Sequence, residues 1–158
     1  DHKSKRNSCE VSIYNLRQTA ISFGIFVRAE YVKLFRFDER FGINAEYGSA
    51  EESDLLLFLI KNHNKGFYNA NRVIYHPHKL NNIERAFTYG KGLGALYRKG
   101  IVVYKFHSLF FVFLVVLAKC LTAFVIFPLR KIRLASFRGR VFGFFHYRVD
   151  PPCKEKKE

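Results

Sequence analysis

Twenty residues from Ser108 to Phe127, SLFFVFLVVLAKCLTAFVIF, carry a single charge, Lys119, and constrain the fold more than any other part of the chain. About twenty apolar residues is the length at which a helix crosses a bilayer. A helix that is apolar all round has no side to offer water and must be enclosed by lipid or by protein. A lysine in such a run is costly at mid-bilayer. Basic residues stand on both sides, Lys99 and Lys105 before it and Arg130, Lys131 and Arg133 after it, so charge asymmetry assigns no orientation. Two arrangements remain open. One is a single span; the other is a pair of re-entrant or in-plane helices, broken near Lys119 and ending at Pro128, which keeps both basic flanks on one side. Downstream, LASFRGRVFGFFHYR interleaves arginines with aromatics, as an interfacial amphipathic helix does.

The formal net charge of +14 calls for an anionic partner, and nucleic acid and an anionic membrane leaflet are the usual ones. The basic residues cluster beside the apolar run rather than on a nucleic-acid reading motif, so the expectation is an anionic membrane and no nucleic acid. Cys9, Cys120 and Cys153 are far apart and form no CxxC pair, which suggests neither a disulfide framework nor a zinc knuckle and fits a reducing setting. The chain has no methionine and opens on the polar run DHKSKRNS, which leads us to expect a segment of a longer protein.

The first half has shorter elements. Ile21 to Val27 is an apolar run of strand length, Arg28 to Phe35 has the spacing of a short helix, and FDERFG (37–42) supplies a turn. Ser49 precedes Glu52 by three residues, the S-x-x-E capping pattern, and Leu55 to Ile60 is apolar enough for a buried helix that Gly66 ends. Phe67 to Asn69 and Arg72 to Tyr75 read as short strands, with Pro77 preventing continuation. Alternation of this kind predicts an α/β layer. A basic helix follows from about Asn81, and its Gly90-Lys91-Gly92-Leu93-Gly94 lacks the strand and spacing of a phosphate loop, so the glycines are expected to serve close packing.

Glu51, Glu52 and Asp54 sit where a glycine-containing loop becomes a helix. Carboxylates there are held ionised by the helix dipole and can serve as a general base, and Glu52 can equally close a capping box with Ser49. His76 and His78 flank Pro77 at a strand end, where i, i+2 histidines suit either metal ligation or packing.

Taken in order, FDERFG, then YGSAEESDLLLFLIK, then the strand leading to His76 resemble the second half of the catalytic domain of bacterial family-2 glycosyltransferases, in which FDE.FG precedes an E-[DE]-x-D-L helix start. The resemblance covers roughly Ile21 to Gly100. It implies an α/β fold with a partial GT-A (Rossmann-like) domain over residues 1–80; composition and charge add a basic connecting helix over 81–107, membrane-spanning, re-entrant or interfacial helices over 108–148 and a disordered tail over 149–158. It implies an inverting enzyme in which Glu52 is the base, Glu51, Asp54 and Asp38 shape the acceptor site, Arg85 and Lys91 hold a diphosphate or lipid phosphate, and His76 approaches a metal. The divalent cation, Mg²⁺ or Mn²⁺, is expected mainly on a donor half whose Asp-x-Asp does not occur here. The implied partners are a nucleotide-sugar donor, a glycan or lipid-linked acceptor and the cytoplasmic face of the cell membrane. A non-catalytic membrane-bound scaffold or degenerate transferase is the alternative.

Overall fold

A computed structural model describes residues 7–20, 24–71, 82–126 and 130–149. The three longest helices are α4 (Ile83–Val102), α5 (Leu109–Ile126) and α6 (Arg130–His146). Before them come β1 (Cys9–Glu10), the single turns α1 (Leu16–Thr19) and α2 (Ala29–Val32), helix α3 (Glu51–Lys61) and β2 (Phe67–Tyr68).

The α4–α6 pair is the most extensive contact in the molecule, and its origin is legible in the residues. Each helix carries two glycines four apart, Gly90 and Gly94 on α4 and Gly139 and Gly143 on α6, so each presents bare backbone on one face. A Cβ added at Gly90 would stand 2.5 Å from the Ser136 carbonyl oxygen. Added at Gly94 it would strike the Arg140 carbonyl, at Gly139 that of Phe87 and at Gly143 that of Lys91. The two helices therefore meet backbone to backbone, the geometry that small-xxx-small faces permit. Helix α4 begins where the Asn82 side chain accepts a hydrogen bond from the Arg85 amide (2.8 Å).

Helix α5 closes over this pair. Phe113 stacks on Phe144 of α6 with ring centroids 4.3 Å apart, and Leu109 fills the space beside Gly100 of α4. Leu57 of α3, Ala95 and Leu96 of α4 and Tyr147 just past α6 join the same core.

The expected α/β architecture is not what forms. Of the described residues 58% are helical and 3% are in strands, and the one sheet among them is the two-residue antiparallel pairing of Cys9 with Tyr68 and Glu10 with Phe67. This excludes a GT-A, Rossmann-like domain, because a doubly wound fold needs a sheet for its helices to cover. Of the expected strand at 21–27, the described residues 24–27 are not in a strand, and the expected strand Arg72–Tyr75 lies outside the described residues. Helix-on-helix burial through α4, α5 and α6 supplies the core instead. The expected spanning helix is also corrected: among the described residues no helix is long and apolar enough to cross a membrane. The apolar run forms an 18-residue helix, with Lys119 and Thr122 on its exposed side and Phe113 and Val116 buried against protein.

Candidate functional site

The chain around the acidic cluster turns tightly before it becomes helical. Gly48 has φ +68° and Ala50, the residue before α3, has φ +83°. Gly48 packs against the Thr88 methyl of α4, and the Ser49 hydroxyl donates to the Tyr89 carbonyl (3.4 Å). Ser49 therefore anchors this loop to α4 and does not cap α3, whose first residue follows Ala50 with no side-chain cap. The capping-box role for Glu52 falls away.

Glu51 and Glu52 stand together in the first turn of α3. The Glu51 carboxyl lies over Gly42 of the FDERFG loop, where an added Cβ would be 3.7 Å from its Cδ. Gly42 has φ +108°, so this loop conformation suits glycine and leaves room for the carboxyl. Burial pushes the Glu52 carboxyl up to about 7; its own backbone N–H opposes this, and the charge and hydrogen bond of Glu51 add to it. Two carboxyls in contact hold a proton between them more tightly than either would alone.

Behind this pair lies a buried ionic network. Lys99 of α4 donates to Asp54 Oδ2 (2.7 Å) and to Asp38 Oδ2 (3.1 Å). Tyr104 donates to Asp54 Oδ1 (2.9 Å), and Tyr147 donates to Asp38 Oδ2 (3.0 Å). Arg40 grips Asp38 with Nε on Oδ1 (2.8 Å) and Nη2 on Oδ2 (2.9 Å), and its Nη1 donates to the Arg148 carbonyl (2.8 Å). Two cations thus face two carboxylates. Burial would push the Asp38 carboxyl up, but hydrogen bonds from Arg40 and the charge and hydrogen bond of Lys99 outweigh it and hold the group well below the usual carboxylate range. Burial pushes the Asp54 carboxyl up, opposed by Lys99 and Tyr104. Burial and the neighbouring Asp54 carboxylate push the Tyr104 phenol up, and burial and Asp38 do the same to Tyr147, so both hydroxyls act as donors.

The structure therefore brings Asp38, Glu51, Glu52 and Asp54 into one region but divides their work. Asp54 is 1% exposed with both oxygens taken, Asp38 is held by three side chains, and Glu51 and Glu52 retain partial exposure. Arg85 lies on the same face of α4 as Thr88 and Gly92, the residues that meet Gly48 and Ser49. Lys91, six residues on, is rotated by about 240° from Arg85 and sits on the flank facing α6, so α4 does not bring the two together. His76 lies outside the described residues. Among the described residues no group of three or more His, Cys, Asp or Glu is placed to hold a metal ion, and Asp38 and Asp54 are already satisfied by cationic side chains.

Sequence reasoning passed over Lys99, Arg40, Tyr104 and Tyr147. A signal for Lys99 was present: Gly92, Ala95, Leu96 and Lys99 follow helical spacing, so the lysine ends a buried stripe rather than joining the basic surface. No comparable pattern marks the two tyrosines, whose partners are 50 and 109 residues away. Comparison with protein-family models, with curated proteins and with solved structures found no match.

Proposed function

We propose that this chain is the acceptor-side part of a group-transfer enzyme working at an anionic membrane surface. More particularly, it serves an inverting, nucleotide-sugar-dependent glycosyltransferase that extends a glycan or lipid-linked acceptor, as the FDERFG and EESDL segments suggest. The observation that carries this reading is the Glu51–Glu52 pair, set at the start of α3 over Gly42 and backed by the Asp54–Lys99–Asp38 network. Inverting transfer needs one base to accept the proton of an acceptor hydroxyl as its oxygen attacks the anomeric carbon and the nucleoside diphosphate departs on the opposite face. A base is most effective when its pKa lies near the working pH, and Glu52 at about 7 meets that condition. In this reading Glu51 raises the basicity of Glu52, while Asp38 and Asp54 position the loop and helix that carry the pair. The described residues offer no group of three or more His, Cys, Asp or Glu placed to hold a divalent cation.

The test is release of nucleoside diphosphate from a panel of nucleotide sugars by the native protein, with isolated membranes as acceptor. Glu52→Gln is expected to lose transfer at least a hundredfold, within the range of general-base catalysis, while donor binding persists. Turnover by the native protein should rise as pH passes through about 7, where Glu52 ionises. Retained turnover in Glu52→Gln would remove the assigned base.

One observation favours a second reading. Phe110, Phe111, Leu114, Val115 and Leu121 leave an exposed apolar stripe along α5, which suits a non-catalytic membrane-bound module. Vesicle binding by the native protein with no transfer from any donor would favour it.

A further inference from the structure

A cleft of about 410 Å³ opens between α2 and the far end of α3, lined by Tyr31, Leu34, Phe58, Leu59, Asn62 and Asn64. Four of these side chains are aromatic or aliphatic and two are amides. The apolar walls are held from behind: buried Phe35 packs on the Phe58 ring with centroids 5.1 Å apart, and Tyr31 and Phe58 both pack on the cluster of Phe35, Leu55 and Leu59. The asparagines are placed by the way α3 ends. His63 takes the left-handed conformation at φ +59°, its amide donates to the Ile60 carbonyl (3.1 Å), and the Asn64 amide donates to the Leu59 carbonyl (3.0 Å). In such a closure the residue at the place of Asn64 is often apolar and covers the helix end. Here a side-chain amide stands there and lines the cleft beside Leu59.

These residues define the chemistry of an occupant. No charged side chain lines the cleft, on a chain of net charge +14, so a phosphate or nucleotide finds no counter-charge there. An acyl chain would leave the two amides against hydrocarbon, and an unmade hydrogen bond is costly. A sugar ring supplies both surfaces that are needed: a face of C–H groups for Tyr31 and Phe58, and hydroxyls that donate to and accept from amides. The Asn62 side chain gives one hydrogen to the Phe58 carbonyl (2.8 Å), which fixes its plane and leaves its oxygen as an acceptor. The cleft also lies on the side of α3 that carries the carboxyl pair. Glu51 and Phe58, like Glu52 and Leu59, are nearly two full turns apart, so each pair points the same way with about 10 Å between them along the axis. The Phe35 ring that backs Phe58 also meets Phe37 (4.8 Å), so one buried ring links the cleft wall to a half-exposed ring on the loop that carries Gly42.

We propose that the cleft between α2 and the end of α3 binds a sugar ring of a neutral glycan and serves as the distal subsite for the acceptor chain, with Tyr31 and Phe58 against the ring and Asn62 and Asn64 on its hydroxyls. The saccharide site stands on the cleft; the acceptor role of its occupant rests on the sugar-transfer reading. In that reading a chain held here extends toward Glu52 across a distance that a short oligosaccharide spans and a monosaccharide does not.

The experiment is saturation-transfer NMR of the native protein with cellotetraose, maltotetraose and chitotetraose, and with n-octanol as an apolar probe. Saturable binding of at least one tetrasaccharide is expected, with its ring C–H protons receiving the transfer. Asn64→Ala is expected to weaken binding about fivefold, as loss of one hydrogen bond implies, and Tyr31→Ala about tenfold. The backbone of Asn64 and not its side chain closes α3, so this variant tests the site even if Tyr31→Ala fails to fold. Lys65→Gln, at an exposed position outside the cleft, is the control and should bind as the native protein does. In transfer assays with the bound tetrasaccharide as acceptor, Asn64→Ala should raise its KM about fivefold with kcat little changed. Absence of binding by all the tetrasaccharides overturns the proposal, as does binding of n-octanol in their place or an Asn64→Ala effect no larger than that of Lys65→Gln. Saccharide binding that depends on Asn64 without transfer from any donor keeps the site and removes its acceptor role. Transfer that depends on Glu52, with saccharide binding indifferent to Asn64, keeps the sugar-transfer reading and removes the site.

Discussion

Lys99 is 7% exposed and stands within 3.1 Å of two carboxylates, so it joins the FDERFG loop to α3 and α4 through charge rather than packing. Removing one partner of a buried pair leaves the other uncompensated. Lys99→Met is therefore expected to destabilise the fold by about 3–5 kcal/mol in urea unfolding, and the double variant Lys99→Met, Asp54→Leu should recover much of that loss. The two acidic sites respond to pH in opposite directions. The Glu52 pKa is raised from 4.5 to about 7, so the folded state holds the proton more tightly. Its contribution is fully present below about 4.5 and is lost as pH rises through about 7. Asp38 is held below its usual 3.8, so its contribution is present above that value and lost as pH falls. Melting across pH should show both limbs. Glu52→Gln is expected to abolish the neutral limb, on the order of 2 kcal/mol after allowance for partial exposure, and to leave the acid limb in place. An unchanged neutral limb would mean that Glu52 is not the group responsible.

At the scale of elements, α4 and α6 approach so closely because each offers two glycines to the other's backbone. Gly to Ala within a helix ordinarily gains about 1 kcal/mol of propensity. Here the added methyl would meet a carbonyl of the facing helix at each of the four positions, and backbone cannot move aside as a flexible side chain can. Gly94→Ala and Gly139→Ala are accordingly expected to destabilise by about 1–3 kcal/mol or more, despite the better intrinsic propensity. A rise in melting temperature would show that the helices are not in backbone contact. Helix α3 gives a different lesson. The S-x-x-E pattern at Ser49 and Glu52 is a sound local signal, yet Ala50 enters the left-handed region and Ser49 turns toward Tyr89, because contact of the 48–50 loop with α4 outweighs a local cap.

Over the whole molecule, a strongly basic chain carries an apolar stripe on the outer side of α5. Phe111 is 69% exposed and lies near Phe110, Leu114 and Val115, on a chain of net charge +14. Vesicles containing anionic lipid are expected to bind the chain in a salt-sensitive manner. The double variant Phe111→Glu, Val115→Glu should weaken partitioning about tenfold or more, since each loses apolar contact worth roughly 1.5–3 kcal/mol. Equal partitioning would mean that another face meets the lipid. The amino-acid sequence by itself determined the basic helix that begins near Asn82, the placing of Glu51 and Glu52 at a helix start and the use of the α4 glycines in close packing; it left open a break near Lys119, through which α5 runs unbroken. Those features follow from periodicity and from the absence of a side chain, both local properties. Tertiary structure alone decided the fold class, because strand-length runs become a sheet only if they find partners, and the one pairing among the described residues is two residues long. It also decided which acidic residues are buried. Asp54 and Glu52 are two positions apart on one helix, and only the distant Lys99 and Tyr104 turn the first inward as a fastening while the second stays near the surface.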